Sequence, residues 1–154
     1  MVFAVVRIRG TIHIKPDIHK TLQLLRLTRA NHCVLLEENE VNKGMLQVVK
    51  DYTTWGEITK ETLEKLVKSR GMLIGDKPIT DEYLKEATSY QSIEQLSEAL
   101  VEGKISYKDI PEVKPLFRLN PPRKGYEGIK RPVTMGGALG YRGKDINTLI
   151  ERML

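Results

Sequence analysis

The chain has few of the residues that catalysis, metal binding or cross-linking require. It holds one cysteine, Cys33, and three histidines among 154 residues. A single cysteine excludes an internal disulfide. Its place in the apolar run CVLL reads as a buried structural thiol rather than a reactive one. His13, His19 and His32 stand at no metal-ligand spacing and have no cysteine pair to join. No Ser–His–acid set is suggested by spacing. Carboxylates are plentiful across 37–112, but they fall at helix-surface spacing and solvate a face. Aromatic residues are scarce, with one tryptophan and two phenylalanines. Trp55 could stack on a base. Its neighbours are strand formers, so packing under a helix is the better reading. Long hydrophobic runs are absent too. After Met1 the N-terminus is apolar for five residues before Arg7, too short for a signal peptide, and nothing approaches a membrane span. The expectation is a cytoplasmic protein that needs no cofactor, metal, membrane or small-molecule substrate.

What is present is an uneven distribution of charge. The net charge of +5 is modest. Residues 1–33 carry six basic and one acidic side chain, and residues 114–154 carry nine basic and three acidic. Between them, residues 34–113 carry ten basic and sixteen acidic. A basic head and tail flank an acidic middle, so the molecule is expected to face an anion with one side.

The densest basic stretch is 118–144, RLNPPRKGYEGIKRPVTMGGALGYRGK. It holds seven Lys/Arg against one acid, Glu127, together with six of the twelve glycines and three prolines. Such a segment reads as a loop, because its backbone is interrupted every few residues. Lys and Arg neutralise phosphates, and glycine lets backbone N–H groups come near them. A solvated basic loop is the bland alternative. Gly136, Gly137 and Gly140 also invite a nucleotide-loop reading. MGGALG, however, lacks the first glycine of GxGxxG and follows no clear strand.

Periodicity predicts an α+β protein. Residues 2–9 alternate as a strand, with Val2, Ala4, Val6 and Ile8 on one face and Phe3, Val5, Arg7 and Arg9 on the other. The Arg end of the second face is expected to reach a surface. Pro16 and Asp17 open a helix carrying Ile18, Leu22, Leu24 and Leu25. Cys33–Leu36 reads as a strand, Asn39 as the cap of a second helix, and Tyr52–Ile58 as a third strand. The first 58 residues thus read β-α-β-α-β, with helices on one sheet face and the other face open. Thr59, Thr80 and Ser92 are expected to cap three further helices, and Asp145 opens the last. Leu116–Phe117 is a possible short strand. The expected organisation is a 1–58 core and a 59–154 helical extension, packed as one unit around the basic loop.

The strings VRIRG, DIHKTLQLLRL, NHCVLLEEN, GMLQVVKDYTTWGEI, FRLNPPRKGYEGIKRP and GGALGYRGK run in order along the whole chain. Together they closely resemble the archaeal form of the L-thirty family of large-ribosomal-subunit proteins, whose eukaryotic counterpart is the L-seven protein. The resemblance implies a ferredoxin-like core with a three-stranded antiparallel sheet and two helices on one face, plus appended helices. It also implies a structural role in the 50S subunit, bound to large-subunit rRNA and next to other ribosomal proteins, without catalysis. One local departure is Lys124, where many relatives repeat glycine. Charge and resemblance point to the same RNA-binding residues. From the first block these are Arg7, Arg9, Lys15, His19, Lys20, Arg26 and Arg29. Lys43 and Gly44 join them at the start of the second helix, where free N–H groups favour an anion. The second block supplies Arg118, Arg123, Lys124, Gly125, Lys130, Arg131, Gly136, Gly137, Arg142 and Lys144. The competing class is a small nucleotide- or ligand-binding domain that uses the glycine-rich segment. A third is a protein–protein adaptor that uses the acidic middle.

Overall fold

A computed structural model describes residues 2–154. Met1, the first residue of the expected 1–58 core, lies outside the described residues. The core run appears as expected: β1 (Val2–Arg7), α1 (Pro16–Leu24), β2 (His32–Glu37), α2 (Glu40–Val48) and β3 (Thr53–Glu57). β1 lies between β2 and β3 and is antiparallel to both. The caps are chemical. The Asn42 N–H donates to Asn39 Oδ1 at 2.8 Å, satisfying a free donor of the first turn of α2. Leu22 faces inward from α1, whereas Leu24 is 65% exposed. The chain leaves α1 through Arg26 at φ +64, and this turn sends Leu25 and Leu27 into the core instead.

The extension contains α3 (Lys60–Arg70), a short hairpin β4 (Met72–Leu73) and β5 (Lys77–Pro78), α4 (Asp81–Ala87) and α5 (Ile93–Val101). Next come β6 (Phe117–Arg118), β7 (Gly128–Pro132), β8 (Gly137–Tyr141) and α6 (Asp145–Met153). Thr59, Thr80 and Ser92 cap α3, α4 and α5. At α5 the Gln95 side chain completes the cap one residue early, its Oε1 accepting from the Gln91 N–H at 3.0 Å.

Two expectations about the sheet are corrected. The three strands expected are the centre of a six-stranded mixed sheet, ordered β6-β2-β1-β3-β8-β7. The short strand expected at Leu116–Phe117 is present as β6, one residue later, and the segment read as one basic loop supplies β7 and β8, with β8 running parallel to β3. Strand pairing is made by the backbone, so a segment with few apolar side chains can still join a sheet.

The second correction concerns the open face. Phe3 and Val5 pack with Leu22, Leu46, Val49 and Trp55 under α1 and α2. Val2, Ala4 and Val6 pack on the other side with Leu63, Leu66, Leu96, Phe117, Ile146 and Ile150. Helices therefore cover both faces of the central sheet. β1 is apolar on alternate residues of both sets, the pattern of a strand buried on two sides. Cys33 lies in this second cluster, fully buried, and burial pushes its thiol up to about 12. Such a thiol is inert packing.

Candidate nucleic-acid interface

The strand registers gather the basic blocks at one end of the sheet. Val6 pairs with Cys33, Arg7 with Thr53, His32 with Arg118, and Thr54 with Gly140. This end therefore holds the exit of β1, the entries of β2, β3 and β8, and the exit of β6. Gly10, Thr11, Ile12, His13 and Lys15 of the loop after β1 are exposed, as are Arg26 and Arg29 before β2. Arg118, Arg123, Lys124, Gly125, Lys130, Arg131 and Gly136 are exposed along the second basic block. Lys20 is exposed on α1, and His19 beside it is half-buried, its Nε2 3.2 Å from Gln23 Nε2. The Arg9 guanidinium lies over the Tyr52 ring, its Cζ 4.9 Å from the centroid, a cation–π contact that fixes its position at the rim while the residue stays half-exposed.

His32 registers the local field, and sequence reasoning missed it. Burial lowers its pKa, and Arg118, Arg29 and Arg7 lower it further. Three guanidinium groups thus bear on one imidazole from β1, the 26–31 turn and β6. Asp76 is a carboxylate beside Arg118; it pairs with Lys114 and stands 3.6 Å from Arg118.

The basic segment is moored rather than loose. The Asn120 N–H donates to the Met153 carbonyl at 3.1 Å, and the Arg123 N–H to the Arg152 carbonyl at 3.0 Å. Arg152, also missed in the sequence, returns its Nε to the Arg123 carbonyl at 2.9 Å and reaches the Gly125 carbonyl. The C-terminal end of α6 therefore anchors the stretch that carries Arg123, Lys124 and Gly125. No spacing in the sequence signals these backbone partners.

Several expected site residues sit elsewhere. Arg7 was expected at a surface and is 1% exposed. Its Nη1 donates to the Leu27 carbonyl at 2.7 Å and its Nε to the Arg9 carbonyl at 2.9 Å. It is a structural cation that closes the end of β1, because α1 folds back over the position the alternation left open. Arg142 is half-buried, with Nε donating to Thr54 Oγ1 at 2.8 Å and Nη2 to the Ala138 carbonyl at 2.8 Å. It staples β8 to β3. Gly137 is buried against the Arg131 backbone, where a Cβ would overlap the carbonyl.

Lys43 and Gly44 are exposed but follow the far end of β2. There Lys43 pairs with Glu38 at 3.4 Å, and both residues line a hollow with Glu40, Glu57 and Tyr141. Lys144 is exposed beyond the far end of β8. These three are not brought to the cationic end.

The glycine run forms no phosphate cradle. Gly136, at φ +77, ends a 3-10 turn, and Gly137 and Gly140 belong to β8. The nucleotide-binding alternative loses the feature it rested on. Among the described residues no group of three or more His, Cys, Asp or Glu side chains is arranged to hold a metal ion.

Fold and charge together define a class: a small α+β protein whose mixed sheet ends in a cationic rim on a moored backbone. Residues 3–53 match the family model described as ribosomal protein L30p/L7e. The large ribosomal subunit protein uL30 of Thermoplasma volcanium is 56% identical over 98% of this chain and 92% of its own length. The proteins of the same name from Methanopyrus kandleri and Archaeoglobus fulgidus are each 51% identical, over 95% and 98% of this chain and 99% of their own lengths. The chain belongs to the L30p/L7e family of ribosomal proteins.

Proposed function

We propose that this protein is a structural constituent of the large ribosomal subunit in the cytoplasm, and that it binds and stabilises large-subunit rRNA with the cationic end of its sheet. The observation that carries this reading is end-to-end identity of about half with relatives named as large-subunit proteins. The rim supports it physically. Arg9, Lys15, Lys20, Arg26 and Arg29 form one bank of phosphate contacts, with His19 as a hydrogen-bonding partner. Arg118, Arg123, Lys124, Lys130 and Arg131 form the other, with Gly125 and Gly136 leaving the backbone approachable. In folded RNA such contacts read shape and phosphate position more than base identity. Lys43, Gly44 and Lys144 would serve a separate contact at the far end. Arg7, Gly137 and Arg142 act through the fold that holds the rim.

The 1–58 and 59–154 regions act as one cooperative body in this proposal, because one core cluster draws on both. The acidic middle turns away from RNA and suits neighbouring basic proteins. The test is co-sedimentation with large subunits across a salt series. If about five phosphates are neutralised, log affinity falls with log salt at a slope of roughly −4. A slope near zero, or no association, overturns the proposal.

A further inference from the structure

Phosphate binding leaves the exposed apolar side chains of the basic segments without a role; Ile129, beside Lys130, is 45% exposed, and two others are more exposed still. Ile12 is 82% exposed and Met135 is 67% exposed. Scattered exposed apolar residues are ordinary on a protein surface. These two differ in where they stand. Ile12 projects from the loop between Arg9 and Lys15, beside His13 at φ +56. Met135 ends the 3-10 turn that follows Lys130 and Arg131, beside Gly136 at φ +77. Ile12 thus stands between two cations and Met135 just after two, each next to a residue of positive φ.

Both belong to one end of the molecule. Ile8, four residues before Ile12, packs with Ala138 and Leu139, just after Met135. A cationic surface that carries two uncovered apolar side chains suits RNA. Its phosphates meet the cations, and its unpaired bases and sugars offer apolar faces between them.

We propose that Ile12 and Met135 rest on base or sugar faces of the rRNA while the neighbouring Arg9, Lys15, Lys130 and Arg131 side chains hold adjacent phosphates. This rests on the rRNA-binding reading above. It adds a component of affinity that salt does not remove, since counterion release belongs to the phosphate contacts alone.

The experiment measures binding of the full chain to protein-free large-subunit rRNA across a salt series. The variants are Ile12→Ser, Met135→Ser, both together, and Lys130→Ala. Thermal unfolding confirms that each variant is folded, as expected for exposed positions. The double Ser variant is expected to bind about tenfold more weakly at every salt concentration with an unchanged slope. Lys130→Ala is expected to make the slope shallower by about 1. If the double variant binds rRNA within twofold of the wild type while Lys130→Ala still changes the slope, the apolar contacts are overturned and the rRNA reading stands. Normal binding to bare rRNA combined with loss from assembled subunits also overturns them, by assigning the pair to a protein neighbour. If the wild type shows no salt-dependent binding, the rRNA reading fails and this inference fails with it.

Discussion

The Tyr126 hydroxyl donates to Asn31 Oδ1 at 2.6 Å. Asn31 sits at φ +68, donates its N–H to the Arg7 carbonyl at 2.7 Å, and accepts from the Leu119 N–H at 3.1 Å. One asparagine thus joins β1, the entry of β2, the exit of β6 and the basic segment. Burial pushes the Tyr126 hydroxyl well above its ordinary pKa, so it remains a donor at any physiological pH. Tyr126→Phe is expected to cost about 1 kcal/mol. Hydrogen exchange should rise most across 120–127 and least in β1. A uniform rise would show that the bond is not the anchor of this segment.

Arg7 and Arg29 are expected to separate stability from binding. Arg7 is buried and gives two hydrogen bonds to carbonyls, with burial lowering its pKa. Arg7→Ala leaves those carbonyls unpaired, at an expected cost of about 2 kcal/mol or more in denaturant unfolding. Arg29 is exposed, and Arg29→Ala should stay within about 0.5 kcal/mol while weakening rRNA binding. Equal stability losses for the two variants would contradict these roles.

His32 gives the fold a dependence on acid. Its folded pKa lies below the ordinary value of about 6.5, first because of burial and then because of Arg118, Arg29 and Arg7. The unfolded chain therefore binds a proton that the folded chain resists between the two values. The stability contribution is complete above the ordinary value and is lost as pH falls through the lower one. Subtracting the unfolding free energy of His32→Gln from that of the wild type between pH 8 and 4.5 should isolate this loss. A difference that is flat with pH would remove His32 as its source.

The sequence made the local chemistry of the fold legible. Asn39, Thr59, Thr80 and Ser92 all cap the helices they precede, because a cap is written within four residues. The helix expected to open at Asp145 is α6, and Ile146, Leu149, Ile150 and Met153 are buried along it at helical spacing. Two-sided burial of β1 has a signal in the apolar residues of both its faces, but Arg7 and Arg9 at the end of one face mask it. Non-local backbone pairing left no such signal. Gly137 reads in the sequence as a glycine open to phosphate, and Gly56 carries no signal there. Both are close-approach residues, Gly56 facing the Gly143 carbonyl and Gly137 the Arg131 carbonyl. For the site, the basic blocks were legible as charge. Which cations turn inward depended on the path of α1 and on β8 joining β3, both long-range outcomes.

Glycine substitutions supply the last expectation, because the fold assigns opposite roles to two of them. At Gly137 a Cβ would overlap the backbone of Arg131, and the strand cannot move away without breaking its pairing to β7. Gly137→Ala is expected to destabilise by about 1–3 kcal/mol, the range of an overpacked interior. At Gly44, inside α2, a Cβ would meet nothing within 4 Å. Alanine there should stabilise the free protein by about 0.5–1 kcal/mol, since glycine is the costlier helix residue. The free fold gives glycine no advantage at this position, and its exposure leaves the backbone open to close approach by a partner in the subunit. Gly44→Ala should therefore raise the melting temperature of the free chain while lowering its occupancy in purified large subunits. If the variant is more stable and incorporates as well as the wild type, no partner needs the space and Gly44 has no part in binding.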